Sequence, residues 1–232
     1  MKAQIKNTTV GQILVFTLSK GEYAYVEPGG IISSTGQVEI KSEIAGGLES
    51  GILRMFGGGE SAFINKVTAI EDTVLEVGVL LPSEIIEVNL DGAMILGDGV
   101  YLAHTGDINI SSKFGWLTSL VAGAGLMFLY AEGKGKLYLA GAESMFIKKL
   151  GAGESFYVDN ACFVGTDANA KIEKFIVGKG LVSKIVSGEG IMLKITGPAT
   201  VYYQTESPVS LAEYITRYLK RGKNYVRVHR IE

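Results

Sequence analysis

The chain alternates short apolar runs with turn residues over almost all of its length, a pattern typical of β-strands. Residues 12–18 are rich in Ile, Val, Phe and Thr, residue types that favour strands. Further predicted strands include residues 23–26, 73–81, 85–90 and 155–164. Val38, Ile40 and Ile44 follow at even spacing and therefore share one strand face, because side chains alternate with a period of two. Glycine punctuates the runs and indicates tight turns. The pattern predicts an all-β chain with no helix before residue 207.

The strand pattern repeats within the chain. At a separation of 132 residues the identities are Leu18/Leu150, Gly21/Gly153, Glu22/Glu154, Tyr25/Tyr157, Val26/Val158, Ile40/Ile172, Ile44/Ile176 and Gly46/Gly178. A fainter copy at a separation of 70 comprises Gly29/Gly99, Thr35/Thr105, Gly36/Gly106, Ile40/Ile110 and Ser42/Ser112. One such unit buries too little surface to be stable alone. We therefore predict a single all-β domain over residues 1–206, with three similar β-sandwich-like units (about 1–80, 81–148 and 149–206) around a pseudo-threefold axis.

Glycine clusters divide each predicted unit into two groups of strands. Glycine tolerates backbone angles that other residues avoid, so a glycine pair allows a sheet to bend onto another. The predicted structural elbows are Gly57, Gly59, Gly123, Gly125, Gly188 and Gly190. A phosphate-binding loop is disfavoured, because Glu60 follows the first cluster where a Walker loop needs Lys and Ser or Thr.

The tail, residues 207–232, differs from the rest of the chain. Ser210 and Glu213 fit a capping box. Apolar residues then recur with helical periodicity, and an alternating, basic terminal strand follows. A short isolated helix is marginal in water, so this one should be ordered by docking its apolar stripe on protein. The possible partner-binding residues are Tyr214, Arg217, Tyr218, Lys220, Arg221, Arg227 and Arg230.

Composition supports a folded protein and excludes several classes. Hydrophobic residues make up 47% of the 232 residues, and glycine (31) far exceeds proline (4). The net charge of −2 leaves the whole chain without the basic footprint of a nucleic-acid-binding protein. Residues 1–7 lack the apolar segment of a secretory signal. The longest apolar run, residues 116–131, is shorter than the roughly 20 residues that cross a bilayer. We expect a cytoplasmic protein without a transmembrane segment.

Few residues suggest chemistry. A single cysteine, Cys162, excludes an internal disulfide, and two histidines exclude a His-rich metal site. Cys162 is a possible nucleophile, but its apolar surroundings favour a buried core thiol. Glu22, Glu60 and Glu154 each follow a glycine; they are either turn residues or ligands for a cation. We predict no catalytic residue, no cofactor and no metal.

The ordered glycine motifs resemble those of one family. They are GE at 21–22 with YVEPGG at 25–30, FGGGESAFI at 56–64, AGAGLMFLYAEGKG at 122–135 and GPATVYYQT at 197–205. Together they resemble a widespread family of prokaryotic proteins whose eukaryotic relative is a mitochondrial biogenesis protein, named from altered inheritance of mitochondria. The resemblance covers about residues 10–206 and implies a triplicated fold similar to the tryptophan RNA-binding attenuation protein. It implies no catalytic residues, and its mitochondrial member is linked to inner-membrane organisation.

These observations favour a non-enzymatic interaction or scaffold protein that binds protein partners or associates with itself. One alternative is a ligand- or RNA-binding module, suggested by the fold likeness and the basic tail. A second is a membrane-associated organising protein, which would contact anionic lipid through the basic helix without crossing the bilayer. An enzyme is the least favoured class, since it would depend on Cys162 or the repeated glutamates.

Overall fold

The structure, a computed structural model, is mostly β. It describes residues 1–44, 63–111, 128–176 and 191–208, and in the C-terminal helix residues 210–212, 214–216 and 219. Sixteen strands are present in these residues, β1 to β16, and all of their pairings are antiparallel. They fall into a first, a middle and a third strand group, in chain order.

The first strand group contains seven short strands. They are β1 (Lys2–Asn7), β2 (Gln12–Leu18), β3 (Tyr23–Val26), β4 (Ile31–Ser34), β5 (Val38–Ile44), β6 (Phe63–Ala69) and β7 (Thr73–Val77). Four of them form a sheet in the order β1-β2-β7-β4, and β3, β6 and β5 lie side by side at one end of a nine-stranded sheet. The strand β1, which its polar residues did not predict, covers the outer edge of β2.

The third strand group has the same strand order. It comprises β11 (Met145–Leu150), β12 (Ser155–Asp159), β13 (Phe163–Asp167), β14 (Lys171–Ile176), β15 (Ile191–Thr196) and β16 (Ala199–Gln204). The orders β11-β16-β13 and β12-β15-β14 match β2-β7-β4 and β3-β6-β5. A strand predicted over residues 155–164 is interrupted here, because a short 3-10 helix spans Asn160–Cys162 and separates β12 from β13.

The middle strand group has three long strands instead of six short ones. They are β8 (Ser83–Leu96), β9 (Tyr101–Ser111) and β10 (Leu129–Ala142), in the order β8-β10-β9. Gly92 pairs with Gly133 across β8 and β10, and Gly106 pairs with Gly135 across β9 and β10. At the second pair the backbones of β9 and β10 approach closely. A β-carbon on Gly135 would lie 2.0 Å from the carbonyl oxygen of Thr105, so the close approach requires glycine.

Three apolar clusters form the core and follow the strand groups. The first joins β2, β3, β6 and β7 to residues of the middle group, such as Leu102 and Tyr138. The second is centred on the middle group. The third joins Ile95 and Phe128 of the middle group to the third group. The middle group thus supplies side chains to all three clusters, and this places it between the other two. The predicted pseudo-threefold axis stays a prediction.

Candidate functional site

The predicted site residues fall largely outside the described part of the chain. Of the possible partner-binding residues, the structure describes Tyr214, which is exposed on the helix. The others lie outside the described residues: Arg217, Tyr218, Lys220, Arg221, Arg227 and Arg230. So do all of the predicted elbows: Gly57, Gly59, Gly123, Gly125, Gly188 and Gly190. Their roles stay predictions.

The C-terminal helix begins earlier than predicted. Pro208 is its first helical residue, and Ser207 is the cap that precedes it. The Leu211 N–H donates to the carbonyl oxygen of Ser207 (3.0 Å), and the Ser210 N–H contacts the Ser207 Oγ at 3.4 Å. The predicted capping box that started at Ser210 is therefore wrong. Proline suits the first helical position, since the N–H that it lacks would have no partner there.

The helix and the loop between β7 and β8 form a surface with two clefts, which we call the helix groove. One cleft, of about 500 Å³, lies towards Glu206 and Tyr214. The other, of about 440 Å³, lies towards Leu80 and Ile215. The side chains that line both clefts are Leu81, Ala142 and Leu211. Leu211 therefore lies between the clefts, and a single partner segment could enter both.

The floor of the helix groove is held by a buried glutamine. The Gln204 Oε1 accepts the Ala142 N–H (2.8 Å), and its Nε2 donates to the carbonyl oxygen of Ala161 (3.0 Å). Both ends of the amide are thus bonded to backbone, which satisfies a polar side chain that has lost contact with water. Gln204 fixes the end of β10 against β16, so the groove has a rigid floor.

The rim of the groove is apolar to an unusual degree. Leu80 is 99% exposed, and Tyr214, Ile215 and Leu219 are exposed on the helix. Single exposed apolar residues are common, but a contiguous group of them marks an interaction surface. Helical periodicity indicated the helix residues. The sequence predicts one strand over residues 73–81, but β7 ends at Val77, so Leu80 lies in the loop that follows it.

Carboxylates surround the apolar surface. Glu143 and Glu206 line the first cleft, and Asp98 lines the second. Glu143 has a φ of 61°, in the left-handed region that non-glycine residues avoid at a cost of about 1–2 kcal/mol. Its N–H donates to the carbonyl oxygen of Pro82 (3.0 Å), which joins this turn to the exposed loop. The described part of the groove is therefore apolar and negatively charged.

Cys162 is partly buried rather than fully buried as predicted. It ends the 3-10 helix and packs at the margin of the third core cluster. Burial raises the pKa of its thiol, and the charges of Asp159 and Glu206 raise it further. A raised pKa leaves little thiolate, the reactive form, at neutral pH. The setting is that of a structural thiol.

His104 lies in a buried aromatic cluster rather than in a catalytic arrangement. Its Nδ1 is 2.8 Å from the Tyr101 hydroxyl oxygen, and its ring stacks on that of Tyr25 with centroids 4.5 Å apart. The Nε2 is buried and has no hydrogen-bond partner of good geometry among the described residues. Burial lowers the pKa of His104 from 6.5 to about 4, so the ring is neutral at pH 7. Its neighbours are tyrosines, which fits a structural role.

The repeated glutamates Glu22 and Glu154 are turn residues. In each turn the carboxylate accepts the backbone N–H three residues earlier: Ser19 for Glu22 (2.8 Å) and Gly151 for Glu154 (3.0 Å). Glu22 also pairs with the N-terminal amino group, and Glu154 lies 3.6 Å from the Lys148 Nζ. Glu60 lies outside the described residues, within which no group of three metal-ligating side chains comes together.

A third cleft, of about 460 Å³, lies beside the paired glycines of the middle group. Lys2, Thr105, Lys136 and Tyr138 are among its lining residues. The Tyr138 hydroxyl is buried and has no hydrogen-bond partner of good geometry in the described part of the chain. Burial, followed by the charge of Glu87, raises its pKa. The Lys136 Nζ is bound to Glu87 (2.8 Å). This cleft could hold a small polar molecule, but Lys136, one of the cations that line it, is already paired.

The fold and these surfaces define a class: an all-β protein whose described residues form an apolar groove beside a C-terminal helix. The chain belongs to the mitochondrial biogenesis AIM24 family, whose model matches residues 3–206. No match is found among curated proteins. The crystal structure of a Streptococcus pyogenes protein is similar, with a TM-score of 0.76 and 23% sequence identity over 94% of this chain and 99% of that one. This likeness shows the fold. The family is one of unknown function, so the site must be interpreted from its own chemistry.

Proposed function

We propose that the chain is a non-enzymatic interaction protein of the cytoplasm, and that it binds a protein partner at the helix groove. The observation that carries the proposal is the exposed apolar surface around Leu211, with Leu80 protruding fully into solvent. Burying a leucine side chain contributes about 1.5–3 kcal/mol, so covering this surface is favourable. Tyr214 on the rim can bury its ring and keep its hydroxyl in water, as interface tyrosines do.

The chemistry of the rim specifies the kind of partner. Asp98, Glu143 and Glu206 place negative charge beside the two clefts. Like charges across an interface repel and opposite charges steer association. The partner segment should therefore present apolar side chains flanked by Lys or Arg. The same carboxylates disfavour RNA phosphates and anionic lipid at the described part of the groove. Within the described residues, the structure contains no helix long and apolar enough to span a bilayer.

Site-specific photo-cross-linking in cells that natively make the protein tests this function. A photoreactive amino acid at Leu80 should give discrete protein adducts whose cross-linked peptides are apolar and basic. The same amino acid at Ile40 is the control, because Ile40 is also exposed (49%) but lies on β5 at the end of the nine-stranded sheet and lines neither cleft. Mass spectrometry of the adducts identifies the partner segment.

Two groove variants separate the apolar and electrostatic contributions. Leu211→Asp should abolish the Leu80 adducts, because it puts a charge between the two clefts. Glu143→Lys with Glu206→Lys should weaken them and remove their sensitivity to salt. Adducts that are the same at Ile40 and Leu80, that survive Leu211→Asp, or that consist only of RNA or lipid would contradict the proposal. So would catalytic turnover of a metabolite by the purified protein.

A further inference from the structure

Two junctions between strand groups are built in the same way. In the first, β3 pairs with β9 through Val26 with Ala103 and Tyr25 with His104. In the second, β8 pairs with β13 through Leu96 with Gly165 and Ile95 with Thr166. The first group thus offers β3 to β9 of the middle group, and the middle group offers β8 to β13 of the third group. We call β3 and β8 the donor strands, and β9 and β13 the receiving strands.

The two junctions also share a backbone hydrogen bond. The Glu27 N–H donates to the carbonyl oxygen of Leu102 (2.9 Å), and the Gly97 N–H donates to the carbonyl oxygen of Val164 (2.9 Å). These residues occupy corresponding positions, since each donor directly follows its paired strand. The agreement in register and hydrogen bonding shows that a single docking geometry occurs twice within the chain.

The receiving strands β9 and β13 contain the same irregularity, and β4 in the first group contains it too. The register shifts by one residue between Tyr101 and Ala103 in β9, and between Phe163 and Gly165 in β13. It shifts likewise between Ile31 and Ser33 in β4. The strand β4 therefore has the bulge of a receiving strand, and Ile32 occupies the position of Leu102 and Val164.

The strands at the corresponding positions in the outer groups, β12 as donor strand and β4 as receiving strand, are not paired in this way. The described strand β4 pairs only with β7, and β12 pairs only with β15. Leu102 and Val164 are fully buried, whereas Ile32 is 56% exposed. On the donor side Ile95 is buried and Tyr25 is partly buried, whereas Tyr157 at the corresponding position is 44% exposed. Ile32 and Tyr157, at the two ends of the array, are thus more exposed than the corresponding residues at the internal junctions.

The geometry points to a third junction of the same kind, formed between two copies of this chain. In it β12 of one copy pairs with β4 of the next, with Val158 opposite Ser33 and Tyr157 opposite Ser34. The Asp159 N–H donates to the carbonyl oxygen of Ile32. A second copy is the occupant because this chain itself carries the complementary edge, in a register that it already uses twice. Since the two edges differ, the assembly is head-to-tail.

Measurement of mass against concentration tests the junction. The wild-type chain should rise from 24.8 kDa to at least twice that mass. Ile32→Asp and Tyr157→Asp should each hold the chain at 24.8 kDa on its own, because each blocks one edge. Mixed together they should form a dimer and nothing larger, since each retains the other edge. Ile147→Asp, on the exposed edge strand β11, is the control and should assemble like wild type.

Cysteine cross-linking tests the register and the choice of occupant. In a Cys162→Ser background, Ser34→Cys mixed with Tyr157→Cys should give a disulfide between copies, because directly paired strand residues lie within the distance a disulfide spans. Circular dichroism confirms that each variant is folded. A wild-type chain that stays monomeric at every concentration would overturn the proposal. So would assembly that persists in folded Ile32→Asp, or a disulfide that forms within a single chain carrying both cysteines.

Discussion

The middle strand group and the two outer groups connect corresponding stretches of strand in different ways. In the outer groups the chain stops, turns and starts a new strand, as between β2 and β3 or between β11 and β12. In the middle group the corresponding strands continue, so that β8 alone spans fourteen residues. The pairing order is the same in both cases. Strand pairing, rather than strand length, is therefore what the three groups have in common.

The turns of the outer groups and the continuous strands of the middle group need different residues. An outer turn needs a glycine at positive φ and a glutamate that accepts the local backbone N–H, as at Gly21 and Glu22. A continuous strand instead needs glycines on neighbouring strands, because the backbones approach closely where they bend. The turn depends on one exposed side chain, whereas the bend depends on the absence of side chains from several strands at once. We therefore expect the middle group to tolerate substitution least.

The largest effect is expected at the bend. Gly135→Ala places a β-carbon 2.0 Å from the carbonyl oxygen of Thr105, a backbone atom that cannot move without breaking the strand pairing. We expect a loss of at least about 3 kcal/mol in the free energy of unfolding, measured with urea. The matched control is Gly153→Ala in an outer turn, which meets no atom within 4 Å and carries only the strain of a φ of +76°. It should cost about 1–2 kcal/mol, and equal losses in the two variants would contradict the comparison.

A smaller effect, dependent on pH, is expected at His104. Its folded pKa of about 4 lies below the ordinary 6.5, so the unfolded chain takes up a proton that the folded chain refuses. The folded state should therefore lose up to about 3 kcal/mol as the pH falls from 6.5 towards 4. The variant His104→Thr should not lose this stability. Threonine is the residue at the corresponding position of the third strand group, Thr166. Urea unfolding at several pH values measures the difference, and parallel curves for the two proteins would show that His104 does not contribute.

The smallest effect is expected at the outer turns. Hydrogen bonding to the N-terminal amino group and to the Ser19 N–H lowers the pKa of Glu22, and the Gly151 N–H followed by Lys148 lowers that of Glu154. A lowered carboxyl pKa stabilises the folded state above the ordinary value of 4.5, and this stabilisation is lost as the pH falls through the folded value. The double variant Glu22→Gln/Glu154→Gln should therefore lose less stability on acidification below 4.5. A steeper acid loss in the variant would be the opposite result.

The local sequence predicts short strands of the outer groups but not the full length of the long strand β8. The residue types predicted the strands of the outer groups at their observed bounds, 12–18 and 23–26. The long strand β8 was predicted only over 85–90, because Asp91 and Gly92 are typical of a turn. Whether glycine starts a turn or lets a strand bend depends on its partner, here Gly133, which is far away in sequence. Local preference cannot supply that information.

Only those groove residues that belong to one local element could be predicted from the sequence. Helical periodicity indicated Leu211 and Tyr214, because both belong to one local element. Leu80 and Glu143 come from distant loops, and only the packing of the helix brings them to the same groove. Cys162 was predicted to be fully buried from its apolar neighbours, but the break between β12 and β13 places it at the margin of the core.

The bulge in β4, β9 and β13 lets each of these strands carry one extra residue without losing its pairing. In β9 Tyr101 pairs with Leu139 and Ala103 pairs with Tyr138, so Leu102 stands outside the ladder. In a regular strand an extra residue would move every later side chain to the opposite face, whereas at a bulge the residues on both sides keep their partners and their faces. Deleting Leu102 would therefore remove its buried side chain and leave the rest of β9 in register. The bulge is thus the point at which a strand of this fold can gain or lose a single codon.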